Sequence, residues 1–228
     1  MRVARDASQY DGPIGEVEVR AGGRSIRLVR PGDPDRLLDD PAVLAWNQAE
    51  DYMPYWAYLW PGAFLLGDAV AAGGWPERTP TLELGCGLGL PGLVAVALGL
   101  AVEFTDQDPT PLRFVRRSAA SNGFDPALYS VALLDWRHPT PGRFELILGS
   151  DITYERRLIP LVASVIAAKL APDGVALITD PDRSASGGLR AALQDVNLAV
   201  EATAAAADCD ELGPVRGTIY RIWRSSSA

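Results

Sequence analysis

The chain has 228 residues, 48% of them hydrophobic and 22% charged, with a net charge of −8 and a pI near 4.7. That length suits one domain with a sizeable core, and the acidity disfavours a nucleic-acid partner while matching a basic protein segment or a cationic small molecule. Two distant cysteines, Cys86 and Cys209, and one histidine, His138, speak against a disulfide framework, a zinc site or a Ser-His-Asp triad. The first ten residues lack the apolar core of a signal peptide. The longest apolar run, from about Leu88 to Val102, is broken by Pro91 and is shorter than the ~20 residues of a spanning helix. A cytoplasmic setting without membrane contact is expected.

The first zone, to about residue 43, holds "IGEVEVRAGGRSIRLV", two alternating runs around Gly22-Gly23 that predict a β-hairpin. "RPGDPDRLLDDP" predicts a loop with a short helical turn. The second zone, "NQAEDYMPYWAYLWPGAFLLGDAVAAGG", is rich in aromatic residues; Pro61 fits the first turn of a helix running to about Ala72. The third zone alternates strands near 80–84, 101–105, 128–133, 144–150, 174–179, 198–204 and 215–223 with helices near 91–98, 110–121, 155–170 and 185–196. Alternation of this kind implies a Rossmann-like α/β fold, a mostly parallel seven-stranded sheet with helices on both faces. The whole chain is read as one domain: residues 1–60 an N-terminal hairpin and aromatic extension, 61–224 the core, and "SSSA" a disordered tail.

Chemistry gathers at the strand ends. "TLELGCGLGLPG" is a strand, a glycine turn and a helix start, with Gly85, Gly87 and Gly89 in G-x-G-x-G spacing. Glycines there allow a sharp turn and a close ligand, and the helix start offers free N–H groups. Glu83 sits near the end of a buried strand, where a carboxylate needs a partner. Asp106, in "VEFTDQDP", closes the second strand, the usual place for an acid that accepts ribose hydroxyls. Gln107 follows it, and Asp108 before Pro109 reads as a helix cap. "LLDWR" ends the third strand with Asp135 and Trp136, an acceptor beside a flat indole, which suits adenine. His138 reads as a loop residue. In "FELILGSDITYE", the fourth strand ends at Ser150, and Asp151 and Tyr154 follow. These two could hold a substrate, or Asp151 or Thr153 could cap the next helix.

In order and spacing, "LELGCGLGLPG", "FTDQDP", "LDWR" and "LGSDITYE" resemble a class I, seven-stranded S-adenosylmethionine (SAM) methyltransferase. The combination of "LWPGAFLL" with Asp151-Ile152-Thr153-Tyr154 is similar to the protein-lysine methyltransferases marked by an Asp-x-x-Tyr motif. The resemblance covers about residues 55 to 182. It implies that Glu83, Gly85, Gly87 and Gly89 hold the methionine part of SAM. Asp106 with Gln107 would take the ribose side, Asp135 with Trp136 the adenine. Trp60 would cover the cofactor, and Ser150 would lie by its reactive end. The implied cofactor is SAM, leaving S-adenosyl-L-homocysteine (SAH), with no metal. The implied partner is a protein bearing the acceptor lysine, or a small amine.

Methyl transfer from a positive sulfur is an in-line displacement, so the protein chiefly aligns the reactants and excludes water. A lysine acceptor must also lose a proton, and Asp151 beside it would raise its pKa where desolvation would lower it. Asp151 therefore reads as an amine-orienting group and Tyr154 as a packing or hydrogen-bonding partner. The competing readings are a small-molecule N- or O-methyltransferase, a nicotinamide-dependent oxidoreductase and a non-catalytic SAM-binding module.

Overall fold

The N-terminal hairpin forms as its glycines dictate. In the computed structural model, which describes residues 10–181, 188–209 and 213–225, β1 (Ile14–Ala21) pairs antiparallel with β2 (Arg24–Pro31). Gly22 and Gly23 both take positive φ, 58° and 66°, as a two-residue hairpin turn requires. Val19, Ala21, Ile26 and Leu28 point into the main core. A 3-10 turn, Pro34–Asp39, follows as expected.

Helix α1 (Pro41–Glu50) was not expected. Its start signal is present: the Asp40 side chain accepts from the N–H groups of Ala42 and Val43, and proline opens the helix. Within it Val43 alone is buried, so no apolar stripe betrays it. Helix α2 (Pro61–Ala72) matches the expected span.

The core then alternates β3 (Pro80–Leu84), α3 (Leu90–Ala97), β4 (Ala101–Asp106), α4 (Pro109–Ser121), β5 (Tyr129–Leu133), β6 (Phe144–Ser150), α5 (Ile159–Lys169), β7 (Leu170–Asp180), α6 (Leu189–Asp195), β8 (Leu198–Cys209) and β9 (Gly213–Arg224). The seven-stranded sheet has the order β5-β4-β3-β6-β7-β9-β8, and β9 alone runs against the other strands. Side chains alternate across it. Leu146 and Leu148 join the cluster under α2, α3 and α4, while Ile147 and Ile178 join the cluster under α5 and α6. The hairpin lies outside α3 and α4, tied to α4 by the Val29 N–H on Ser118 Oγ at 2.9 Å and by the Asn122 side chain on Arg27.

Several boundaries differ from expectation, for local reasons. The helix expected from 155 begins as α5 at Ile159, because Pro160 suits a first turn; residues 156–158 form a 3-10 turn. Strand β7 starts at Leu170, because the Asp173-Gly174 pair is absorbed by a register shift against β6 between Phe144 and Leu146. Strand β8 runs on to Cys209 through an alanine-rich stretch whose pairing with β9 overrides its propensity. Of the helix expected over 185–196, residues 185–187 lie outside the described residues, as do 226–228 of the expected tail. No helix among the described residues is long and apolar enough to cross a membrane.

Candidate active site

Parallel strands bring β3, β4, β5 and β6 to one edge with their carboxyl ends together. The chain switches direction there, β4 lying on one side of β3 and β6 on the other, which opens a crevice for a ligand. A cavity of about 580 Å³ occupies it, a size ordinary for a small-molecule site. Its wall includes Gly85, Gly87, Gly89, Asp106, Gln107, Asp135, Trp136, Ser150, Asp151 and Tyr154, with Trp60 from the N-terminal side. Thus the structure brings together every expected site residue except Glu83.

The glycine loop is built for close approach. Gly85, Gly87 and Gly89 have φ of 58°, 50° and 75°, where other residues are strained. A Cβ on Gly85 would meet the Trp136 ring and Ile152 at 3.2 Å, and one on Gly89 would meet Val115 at 2.8 Å. The Trp136 indole is therefore laid beside the loop, half-buried, where a flat base could stack. The backbone of Trp56 passes over Gly87.

Asp106 is 8% exposed at the end of β4. Its Oδ2 accepts from the Gly87 N–H at 3.1 Å and its Oδ1 from the Asp108 N–H at 3.0 Å. Burial pushes its pKa up to about 6, with the Asp108 N–H pulling it down and the Asp108 charge raising it. Asp108 caps α4 through the Thr110 N–H, as expected, and also accepts from the Tyr52 hydroxyl at 2.5 Å. Trp56 Nε1 in turn donates to the Tyr52 oxygen, and the Tyr52 ring stacks on Trp46 at 3.6 Å. This network ties the aromatic extension to Asp108, whose N–H donates to Asp106. The sequence marked this segment as rich in aromatic residues; the tie through Asp108 was missed, because nothing local links positions 52 and 108.

Glu83 lies elsewhere than expected. Leu82 and Leu84 face α5, so Glu83 faces α3, and its carboxyl lies under the first turn of that helix. A Cβ on Gly92 would stand 2.3 Å from its Oε2. Burial holds its pKa well above the usual range, opposed by the Gly92 N–H and reinforced by Asp106. Here it supports the helix that carries the glycine loop rather than lining the cavity.

Asp135 lines the cavity, but its carboxylate already holds Arg137 in a two-pronged contact, Nε and a terminal nitrogen each at 2.8 Å. Trp60 opens α2 as its N-cap; its Nε1 donates to the Tyr55 carbonyl at 2.8 Å. Its ring meets Tyr55 edge-on at 5.9 Å, and Tyr55 meets Tyr154 edge-on at 5.4 Å. Burial, with the charge of Glu155 second, raises the Tyr154 pKa, so the phenol stays protonated. Gln107 is exposed at the rim, and His138 is exposed in its loop, away from the cavity wall. No group of side chains among the described residues could hold a metal ion.

Asp151 follows Ser150 with a φ of 55°, tolerated by aspartate better than by most residues. It does not cap α5, whose N-cap is Leu158. Its carboxylate oxygens are shielded from solvent, and Oδ2 lies against Gly62 in the first turn of α2.

Fold and site together define a class I methyltransferase architecture. The family described as lysine methyltransferase matches residues 72–187, and the chain belongs to it. Among relatives, mouse (Mus musculus) EEF1A lysine methyltransferase 3 is 29% identical over 109 residues, covering 46% of this chain and 47% of that protein. Protein N-lysine methyltransferase METTL21A of Danio rerio is 33% identical over 105 residues, covering 43% and 47%. Histone-arginine methyltransferase METTL23 of Mus musculus is 29% identical over 167 residues, covering 66% and 61%. The chain spans about half the length of the first of these relatives. Among solved structures, a ribosomal protein L11 methylase from Lactobacillus delbrueckii shares the fold with a TM-score of 0.57 and 20% identity, over 72% of this chain and 79% of that one.

The methyl donor that goes with this family is SAM, and the residues present fit it. The glycine cradle holds backbone angles that strain other residues, Asp106 offers a buried carboxylate for two hydroxyls, and Trp136 offers a face for adenine.

Proposed function

We propose that the protein transfers a methyl group from SAM to the side-chain amine of a lysine in a protein acceptor. One observation carries the reading: the glycine cradle and the aromatic group Tyr55, Trp60 and Tyr154 line the same cavity. SAM supplies a methyl group carried on a positively charged sulfur. The chain supplies alignment and shelter. Gly85 to Gly89 and Asp106 fix the donor, and the Trp136 ring flanks its base. The three aromatic faces attract a cationic side chain and exclude water. Exclusion of water also lowers the acceptor's pKa from its usual ~10.4 towards the neutral amine that attacks. With its proton held, the Tyr154 phenol can donate a hydrogen bond but cannot serve as the base.

Charge supports a protein acceptor, since a chain of net charge −8 suits a basic segment. The cytoplasmic setting belongs to the same reading, and the two buried, unpaired cysteines agree with it. An arginine acceptor is the second reading, favoured by the length of the match to a relative named a histone-arginine methyltransferase. Incubating source-cell lysate with the enzyme and methyl-labelled SAM, followed by mass spectrometry, tests both. Label on lysine supports the proposal, and label on arginine supports the second. Label confined to small molecules removes both, and calorimetry showing NAD bound in preference to SAM would restore the oxidoreductase reading.

A further inference from the structure

Two motifs lie about ninety residues apart in this chain, Trp60-Pro61-Gly62 and Asp151-Ile152-Thr153-Tyr154. The structure makes them neighbours. A Cβ on Gly62 would stand 2.3 Å from Asp151 Oδ2 and 2.9 Å from its Cγ. No real Cβ tolerates such contacts, so the carboxylate occupies the space that glycine leaves. Glycine is otherwise a poor choice inside a helix, costing roughly 0.5–1 kcal/mol relative to alanine. Its φ here is not among the positive ones, so the backbone does not require it. The close approach does.

Position matters as much as space. Gly62 is the second residue of α2, behind Pro61. The start of a helix carries partial positive charge, which favours a carboxylate there. Thr179, at the end of β7, joins the two motifs. Its hydroxyl donates to the Gly62 carbonyl at 2.8 Å, and its own carbonyl accepts the Asp151 N–H at 3.1 Å. Two residues beyond Asp151 and one beyond Thr179, the Thr153 hydroxyl donates to Asp180 Oδ2 at 2.6 Å. The loop after β6 is thus pinned through Asp151 and Thr153, and it carries Tyr154 to the Tyr55 ring, which in turn meets Trp60.

We infer that Gly62 and Asp151 form a lock between the N-terminal aromatic segment and the loop after β6, and that Asp151 is a positioning residue acting through Tyr154 and Trp60. It does not itself hold the acceptor amine: both carboxylate oxygens are shielded, with Oδ2 against α2. The lock also accounts for the positive φ at Asp151. A strained backbone persists where surrounding contacts hold it, and here the carboxylate, the N–H and the next threonine all do so.

The inference rests on the methyl-transfer reading for its kinetic consequence, but its structural core is testable separately. The experiment is a double-mutant cycle of Gly62→Ala and Asp151→Gly, the second chosen because glycine suits the positive φ and removes the carboxylate. Urea midpoints report the lock without any reaction. The expected result is strong coupling: Gly62→Ala lowers the midpoint in the parent chain and not in the Asp151→Gly background. Additive midpoints would overturn the lock. Should Gly62→Ala fail to fold, a folded double variant supports the lock and an unfolded one overturns it.

Methyl transfer from labelled SAM into titrated lysate protein gives the kinetic arm. A displaced loop should lower the limiting rate by roughly 10²-fold in both single variants, with the half-saturating acceptor concentration unchanged. A rise in that concentration for Asp151→Gly, with Gly62→Ala unaffected, would instead assign the amine contact to Asp151 and refute the positioning role. If the parent chain labels no protein at all, the methyl-transfer reading falls while the urea cycle still decides the lock.

Discussion

Asp106 closes β4 and Asp151 directly follows β6, at the same edge of one sheet and on the wall of the same cavity. Their surroundings differ. Asp106 holds its oxygens in place with the backbone N–H groups of Asp108, two residues on, and of Gly87, in the loop after the neighbouring strand β3. Asp151 places its carboxylate against a helix that begins ninety residues earlier, with Thr179 from a third strand beside it. The Asp106 end of the cavity is therefore made within one β-α-β unit, and the Asp151 end by packing between segments some ninety residues apart. That contrast explains which roles follow from a motif and which need coordinates.

The sharpest way to break the contrast is Asp151→Asn. Asparagine tolerates positive φ and keeps the shape, but it removes the charge at the start of α2. Turnover should fall by roughly 10²-fold, about 2.7 kcal/mol of transition-state stabilisation, while calorimetry shows SAM affinity little changed. Full turnover in this variant would mean that the acceptor side does not depend on the carboxylate at all. Tyr154→Phe should cost less than Tyr154→Ala if the ring acts as a wall against Tyr55; equal losses would point to the hydroxyl.

The donor side should respond oppositely. Asp106→Ala removes a charged hydrogen-bond acceptor and should weaken SAM by ~1.5–3 kcal/mol. The carboxylate also makes this half sensitive to pH. Burial raises its pKa to about 6, and hydroxyl donors favour the ionised form. SAM affinity should accordingly hold above pH 6 and fall as pH drops below it, by up to about tenfold per unit. The sign for stability is reversed. Between the unfolded value and 6 the folded chain binds the extra proton, so Asp106 contributes stability at low pH that is lost as pH rises through 6. A flat affinity profile from pH 5 to 7 would show that Asp106 does not bear on the ribose.

These expectations trace what could be read from the sequence. The α/β alternation, the hairpin around Gly22-Gly23 and the glycine loop were legible because each rests on residues within a few positions of one another. Asp108 as a cap was legible for the same reason. Glu83 was not placed correctly, because the alternation of β3 that turns it towards α3 and away from the cavity is visible only once the helix is packed. Helix α1 escaped because it buries one residue and shows no stripe. The closeness of Gly62 to Asp151 and of Tyr52 to Asp108 had no local signal, yet each motif drew notice alone. A glycine at the second position of a helix, where alanine serves better, was the one hint.

Trp136→Ala tests the donor side without charge. The ring flanks Gly85 and would touch the base shared by SAM and SAH. Both ligands should lose affinity alike, by an amount in the range of ~1–3 kcal/mol seen for base–aromatic stacking. Unequal losses would show that the ring touches the part of the ligand that differs between them.

The smallest effect should lie where the two sides meet at the surface. The end of α1 reaches both loops: Glu50 stands 3.8 Å from Arg137 on the loop after β5, and Asp51 stands 3.2 Å from Arg157 on the loop after β6. Both arginines also pair within their own loops, Arg137 with Asp135 and Arg157 with Glu155. The side chains of Glu50 and Arg137 are nearly half exposed, and exposed pairs contribute on the order of 0–1 kcal/mol. Glu50→Gln leaves the Arg137–Asp135 contact intact and removes only the link to α1. If that link helps hold the aromatic segment across the cavity, SAH should leave faster, by about threefold or less, a factor worth at most ~0.7 kcal/mol. At 1 M salt the screening length falls to about 3 Å, and the difference from the parent chain should vanish. A release rate unchanged at low salt would leave the segment held by its buried contacts, the Tyr52–Asp108 hydrogen bond and the lock at Gly62. A difference that persists at 1 M salt would show that Glu50 acts through packing rather than charge.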